Sequence, residues 1–321
     1  MTTVVIGFWL LCSLFVLFEK KVLRMILWMF LSSVIASMAF LLLGSPDVAM
    51  AEAAASAFVT VIFVVCYEKF FDIRDFDIRD IRSYIEDEKK IANENKFRRY
   101  GLPAFLVLGL LGLFLYFAPD MEPNNYVKYL YIFRAIADVG GENVVGAIYL
   151  GYRVYDTIFE ALLLVVAVVA VIHMSHFEGT QRKEGLHSDV ERDGMALFLV
   201  RIVAPLTILF GIYLSANGFI TAGGGFQGGL AIASFFICRF LIYDIYDIPI
   251  KKINKLEDLV FIGIVLMAAL MVFQGFFYYI PEEHLPLIQN LYLFSMNMLI
   301  GLKVACGFTI LFYRYVAIER N

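Results

Sequence analysis

The chain has 321 residues, of which 61% are hydrophobic and only 17% charged, and its mean hydropathy is +0.78. A soluble core cannot bury that much apolar surface, so composition excludes a water-soluble globular domain and makes the lipid bilayer the solvent. The formal net charge of −4 offers no basic face to nucleic acid, and in a membrane chain the placement of Lys and Arg matters more than their sum.

A helix crosses the hydrocarbon layer with about 20 apolar residues, and roughly 17 is a lower limit. Nine such runs follow one another, at residues 2–18, 22–43, 47–68, 101–118, 155–177, 196–216, 226–243, 257–280 and 290–316. The expected fold is all-α, a polytopic transmembrane helix bundle of about nine helices. The first run could imitate a signal peptide, but no A-x-A-like cleavage site follows and a second run begins at Val22, so it reads as a retained span. Cys12, Cys66, Cys238 and Cys306 stand alone inside apolar runs and read as packing residues.

Nine spans place the termini on opposite sides. With the N-terminus outside and the C-terminus cytoplasmic, 22 of the 26 Lys and Arg residues fall on the cytoplasmic side, as the positive-inside rule requires. Lys128, Arg134 and Arg153 lie outside, and Lys303 lies within a span.

Three breaks in composition divide the chain. Residues 70–100 mix acids and bases and contain a short repeat, Phe71–Asp75 followed by Phe76–Asp80; Ile73, Phe76, Ile81, Tyr84 and Ile85 give it an amphipathic helical pattern. It is expected to be a cytoplasmic linker. Residues 119–154 open with Pro119 and Pro123 and are expected to be partly helical, lying against the outer face. Residues 178–194 are polar and read as a second cytoplasmic linker. The blocks so defined are 1–69 with three spans, 101–177 with two, and 195–321 with four, an organisation that looks like a gene fusion.

A charged side chain at the centre of a spanning helix costs roughly 2.5–3.5 kcal/mol on insertion scales, which makes each one a candidate for function. In the third span, Ser45-Pro46-Asp47 supplies an N-cap, a first-turn proline and a first-turn acid, so Asp47 has a structural explanation as well. Glu52 lies about 9 Å further along the helix at 1.5 Å per residue. Ser56 and Thr60 continue its stripe, and the surrounding alanines leave room for close helix contact. The fifth span repeats the arrangement with Arg153, Asp156, Thr157 and Glu160, where Asp156 can also cap the helix or pair with Arg153. Both spans run inward, so Glu52 and Glu160 are expected at similar depth on one cation or proton passage.

Lys303 lies near mid-membrane, where it needs an acid, a carbonyl or water. It can serve as a fixed counter-charge, a proton carrier or half of a structural ion pair. His173 and His176 share a helical face at the inner end of the fifth span; they read as polar helix ends or as a proton relay. The run Gly223–Gly229 reads as a tight packing turn rather than an anion cradle, because no P-loop lysine accompanies it. No nucleophile–base pair, haem spacing or nucleotide loop is present, so the chain is not expected to be an enzyme by itself. It is expected to need no cofactor and no metal beyond transient Na⁺.

The core Leu-Leu-Gly-Ser-Pro-Asp-Val-Ala-Met-Ala-Glu-Ala-Ala at 42–54, within Leu23–Tyr67, resembles the D-type subunit of membrane-bound hydrogenases and the C-terminal part of the Mrp A subunit. Residues 142–160, with Asn143-Val-Val, Arg153, Asp156-Thr157 and Glu160, look like the E-type subunit. Residues 195–321, with the glycine run and Ile300-Gly-Leu-Lys-Val-Ala305, are similar to the Mrp B subunit and its F-type hydrogenase counterpart. The glycine run departs from the family form in being preceded by Ile220-Thr-Ala, without the usual His, Asn and Pro. The resemblance implies a fused subunit of a large complex in the cell (inner) membrane, beside other Mrp-type antiporter subunits and joined in some relatives to a redox arm carrying Fe–S clusters. A non-conducting adaptor, a stand-alone Mrp antiporter subunit and an independent secondary transporter remain the alternatives.

Overall fold

The computed structural model describes residues 2–19, 21–70, 125–174, 194–242, 249–272 and 284–317, with four isolated positions between 105 and 112. Most of the expected span 101–118, nearly all of the charged linker 70–100 and of the linker 178–194, the last eight residues of the expected span 257–280 and His176 lie outside the described residues.

Every described element is helical, and no strand occurs among the described residues. In chain order they are α1 (Thr2–Phe18), α2 (Val22–Leu42), α3 (Pro46–Phe70), α4 (Asn125–Val139), α5 (Val144–Ala147), a π-helical turn (Ile148–Tyr152), α6 (Val154–Met174), α7 (Gly194–Asn217), α8 (Gly225–Ile242), α9 (Ile250–Val272) and α10 (Leu285–Ala317). Among the described residues, five helices are long and apolar enough to cross a membrane: α2, α3, α6, α7 from Val200 onward, and α10; α1 is a shorter apolar helix. The described residues thus support a membrane-embedded helix bundle with five clear spans. Helices α8 and α9 form where spans are expected, but α8 opens on a glycine run and the first nine residues of α9 include Lys251, Lys252, Lys255, Glu257 and Asp258.

Local chemistry sets the turns. Gly44 takes a positive φ of 74° at the end of α2, which lets Ser45 N reach back to the Phe40 carbonyl and Pro46 begin α3. Small residues then let the two helices approach closely: Ala36, Ala39 and Ala49 are buried, and Ser37 Oγ donates to the Ala49 carbonyl at 2.6 Å. Helix α9 starts at Ile250 rather than at the expected 257. Pro249 supplies its first acceptor, to Lys252 N at 2.8 Å, and the first two turns are amphipathic rather than uniformly apolar.

Helix α10 is the hub. It packs on α3, α6, α7, α8 and α9, and 67% of its most apolar stretch is buried, against at most 22% for the other four clear spans. The latter therefore present most of their side chains outward. At 33 residues α10 is about 50 Å long at 1.5 Å per residue, well beyond a hydrocarbon thickness of roughly 30 Å, so it tilts or protrudes. Helices α1, α2 and α3 pack in series, and α3 joins them to the rest through α8 and α10. Phe58 seals that seam by meeting Phe308 edge to face at 4.9 Å.

Candidate functional site

Among the described residues, three polar assemblies hold the candidate side chains. The first surrounds Glu52. Helices α1, α2 and α3 enclose an open cavity of about 430 Å³ lined by Glu52 together with the hydroxyls of Ser13, Ser32, Ser33, Ser56 and Thr60, and walled by Trp9 and Phe63. Ser33 Oγ donates to Glu52 Oε1, and Ser13 and Ser32 hydroxyls meet at 3.1 Å. Ser56 Oγ donates to the Ala53 carbonyl. Apart from the Trp9 indole, every polar side chain on this cavity carries oxygen, a donor set that suits a proton or a hard cation.

The second assembly joins distant parts of the chain where α3, α5 and α8 begin. Asp47 is buried, and one of its carboxylate oxygens accepts from Asn143 Nδ2 and from Gly223 N, both at 3.0 Å. Gln227 Nε2 donates to the Asp47 carbonyl at 3.2 Å. Asn143 is also the N-cap of α5, accepting from Val145 N, while its amide reaches the carbonyls of Gly218 and Thr221. Two residues further along the glycine run, Gly225 N donates to Asn297 Oδ1 at 3.2 Å, and the same oxygen accepts from Tyr149 Oη at 2.8 Å. Burial pushes the Tyr149 phenol above its usual range; the Asn297 hydrogen bond opposes this, and the nearby charges of Asp47 and Glu160 add to it. Asn297 Nδ2 and Ser215 Oγ are buried with no hydrogen-bond partner among the described residues.

The glycines make this junction possible. A Cβ on Gly224 would lie 2.7 Å from Tyr149 Oη, and one on Gly225 would lie 2.6 Å from the Asn297 carbonyl oxygen. The glycine run is thus a close-packing turn, and it also supplies two backbone N–H donors to buried side chains.

The third assembly is an ion pair. Lys303 on α10 donates to Glu257 Oε1 on α9, and both side chains are almost completely buried, at 1% and 2% exposure. The Phe261 ring lies 5.4 Å from the Lys303 ammonium, one turn along α9 from Glu257.

The remaining sequence candidates fall elsewhere. Arg153 and Asp156 pair at 2.6 Å, both exposed. Glu160 is exposed on α6, does not line the Glu52 cavity, and has no hydrogen bond or ion pair among the described residues. Helices α3 and α6 each pack on α10, so Glu52 and Glu160 stand on helices that flank it. The His173 ring hydrogen-bonds the Val169 carbonyl at 2.8 Å and is exposed.

Residues 195–310 match a family model described as a domain related to the MnhB subunit of Na⁺/H⁺ antiporter, and residues 7–71 match MbhD, the family of the D-type subunit of MBH. An uncharacterised protein of Methanocaldococcus jannaschii is 30% identical over 224 residues, covering 60% of this chain and 82% of that protein. The chain belongs to the Mrp-type antiporter-subunit family. A protein of Staphylococcus haemolyticus named as antiporter subunit mnhB2 is 28% identical over 114 residues, 34% of this chain and 81% of that one. In fold, the chain is similar to part of the Mrp complex from a Dietzia species, with a TM-score of 0.68 and 20% identity over 99% of this chain and 35% of the longer one. It is also similar to a chain of the membrane-bound sulfane sulfur reductase, an archaeal respiratory membrane complex, with a TM-score of 0.51 and 24% identity over 68% of this chain and 98% of that chain.

Within this Mrp-type protein, the MbhD match contains the Glu52 cavity and Asp47, and the MnhB match contains the glycine turn, Asn297 and the Glu257–Lys303 pair. Sequence reasoning missed Glu257, because a span drawn from 257 leaves it at the membrane boundary. The signal was there in its register. Ile250, Ile253, Glu257, Val260 and Ile264 form one helical stripe, so Glu257 is an acid in an apolar row, whereas Lys251, Lys252, Lys255 and Asp258 fall outside that row.

Proposed function

We propose that this chain is a fused membrane subunit of a multi-subunit Mrp-type Na⁺/H⁺ antiporter module in the cell membrane, and that Glu52 carries part of the cation or proton path. The observation that carries this reading is the Glu52 carboxylate in an open cavity whose other polar side chains are hydroxyls, with one indole at the wall. A carboxylate in a spanning helix is costly unless it is paired or used, and among the described residues no basic side chain lines the cavity. The likeness to Mrp subunits supports partners of the same module. The likeness to a sulfane sulfur reductase chain supports a redox-driven complex, in which an Fe–S arm on another subunit would supply the energy.

In this reading the chain has nine spans, with the N-terminus and the Asp47 junction outside. Blocks 1–69, 101–177 and 195–321 are the D-, E- and B/F-like parts, and linkers 70–100 and 178–194 are cytoplasmic. Glu160, exposed on α6, contributes at a seam with a neighbouring subunit. Asp156 and Arg153 flank that seam, and Ser56 and Thr60 line the way past Glu52.

The Asp47–Asn143–Gly223 junction favours a second reading, a non-conducting adaptor that holds the module together, since it ties three blocks with neutral and charged hydrogen bonds. Membrane vesicles containing the assembled complex separate the two. Glu52→Gln preserves volume and should abolish Na⁺-linked proton movement while the complex still assembles; normal transport by that variant would remove Glu52 from the path and leave the adaptor.

A further inference from the structure

The Glu257–Lys303 pair has no packing reason to exist. Val260, Ile264 and Ala268 of α9 already share one apolar core with Met296, Ile300 and Val304 of α10. Replacing a buried ion pair by apolar side chains of similar volume is commonly neutral or stabilising, so adhesion of the two helices does not call for these charges. An ionisable pair kept within a spanning helix at such cost is therefore better explained by use.

Its surroundings isolate it. On α9, Lys251, Lys252, Lys255 and Asp258 stand outside the buried row that holds Glu257. On α6, the other helix packed against α9, Tyr155, Asp156, Glu160 and His173 are exposed. On α10, Cys306 is the nearby titratable side chain, three residues beyond Lys303. Among the described residues, the charged group in contact with Glu257 is thus Lys303. Phe261 gives the ammonium a second resting place, because an aromatic face within about 6 Å attracts a cation.

We propose that Glu257 and Lys303 form a second proton-holding station, separate from the Glu52 cavity, in which Glu257 takes up and releases one proton and Lys303 is its counter-charge. When Glu257 is ionised it accepts from the Lys303 ammonium. When it takes a proton on its carboxylate oxygen the ion pair is broken, and the still-protonated ammonium shifts toward the Phe261 ring. Release of that proton restores the pair, so each cycle moves one proton and leaves both residues unchanged. Glu257 lies seven residues into α9, about 10 Å from its start at 1.5 Å per residue, and Lys303 about 27 Å from the start of α10. In the topology proposed above, Glu257 is counted from the cytoplasmic end of α9 and Lys303 lies near the midpoint of α10, which puts the station near mid-membrane, away from Asp47 at the outer end. This inference rests on the reading that the chain works in a proton- or cation-moving complex.

The test has two arms. In vesicles containing the assembled complex, the double variant Glu257→Gln with Lys303→Met keeps the volume and removes both charges. It should assemble normally and lose at least about tenfold in proton movement, roughly 1.4 kcal/mol or more. Transport at the unaltered rate would overturn the proposal and make the pair structural only. Glu52→Gln in the same vesicles keeps the two ideas apart, since each site can fail alone. The second arm uses the purified chain in lipid and does not depend on transport. Infrared difference spectra recorded on changing pH should contain the C=O stretching band of a protonated carboxylic acid that shifts in Glu257→Asp. No such band, or one indifferent to that substitution, would overturn the proposal even where the double variant fails to assemble.

Discussion

Asn143 donates its side-chain amide to the carboxylate of Asp47 at 3.0 Å across 96 positions of sequence, and the same nitrogen reaches the Gly218 and Thr221 carbonyls at 2.9 and 3.0 Å. One side chain therefore meets the start of α3 and the loop between α7 and α8, while capping α5. The parts of a fused subunit need such a joint, because each could otherwise pack on lipid instead of on its neighbours. The Asp47 end of this joint is buried, where leaving a partner unmatched is expensive, while the Thr221 contact at its edge is exposed.

Asn143→Ala should accordingly destabilise the chain by about 1–3 kcal/mol, since it leaves a buried carboxylate oxygen and two carbonyls short of a donor and removes an N-cap. Thermal unfolding of the purified protein in detergent checks this. Asn143→Asp should be worse than the alanine, because it sets a second carboxylate against Asp47; equal stability for the aspartate would show that the contact carries no weight.

The helical bundle was legible in the sequence because lipid-facing helices need only be apolar and long, and α2, α3, α6, α7 and α10 match the expected runs to within a few residues. Asp47 was readable as a first-turn acid, but its bonds to Asn143 and Gly223 were not, since nothing local marks partners 96 and 176 residues away. The pocket stripe of Glu52, Ser56 and Thr60 followed from i, i+4 spacing, whereas its completion by Ser13, Ser32 and Ser33 depends on how α1 and α2 pack. Lys303 announced the need for an acid. Its partner stayed hidden because hydropathy starts the helix at 257 rather than at Ile250, which leaves Glu257 at the membrane boundary instead of two turns into an amphipathic helix.

Backbone contact at the glycine turn sets a second expectation. A Cβ at Gly228 would overlap Ser215 Oγ and lie 2.5 Å from the Gly211 carbonyl oxygen, with backbone on the far side unable to yield. Gly228→Ala should cost about 1–3 kcal/mol or prevent α7 and α8 from closing. Gly263→Ala is the control: its nearest neighbour would be Leu299 at 3.6 Å, so it should be neutral or gain the alanine helix preference, up to about 1 kcal/mol. A stability ranking by thermal unfolding that placed Gly228→Ala at or above Gly263→Ala would contradict the packing described.

Tyr152 gives an alkaline signature at the same end of the bundle. Its hydroxyl donates to Asp138 Oδ2 at 3.0 Å, and burial, that hydrogen bond and the Asp138 charge push the phenol up to about 12 from 10.0. A folded-state value above the unfolded one means that the contribution to stability is complete below about pH 10 and is lost as pH rises toward 12. Phenolate absorbance should therefore include one late-titrating tyrosine that is missing in Tyr152→Phe. In Asp138→Asn the Tyr152 transition should move down toward 10, and an unmoved transition would discount the aspartate.

The Glu52 cavity offers the most discriminating prediction, because two serines on α2 sit one turn apart and only one meets the carboxylate. Ser33 donates to Glu52, whereas Ser37 donates to the Ala49 carbonyl and does not line the cavity. On the proposed reading, in which this cavity takes the cation, removing the Ser33 hydroxyl takes away one hydrogen bond to the carboxylate and one oxygen donor, a change of about 1 kcal/mol or roughly fivefold in apparent Na⁺ affinity. Removing the Ser37 hydroxyl weakens only the α2–α3 contact. In vesicles with the assembled complex, Ser33→Ala should raise the Na⁺ concentration for half-maximal transport while Ser37→Ala leaves it unchanged. A shift of equal size in both would mean that helix packing, rather than oxygen donors around Glu52, sets the affinity, and the cavity would lose its claim to the ion.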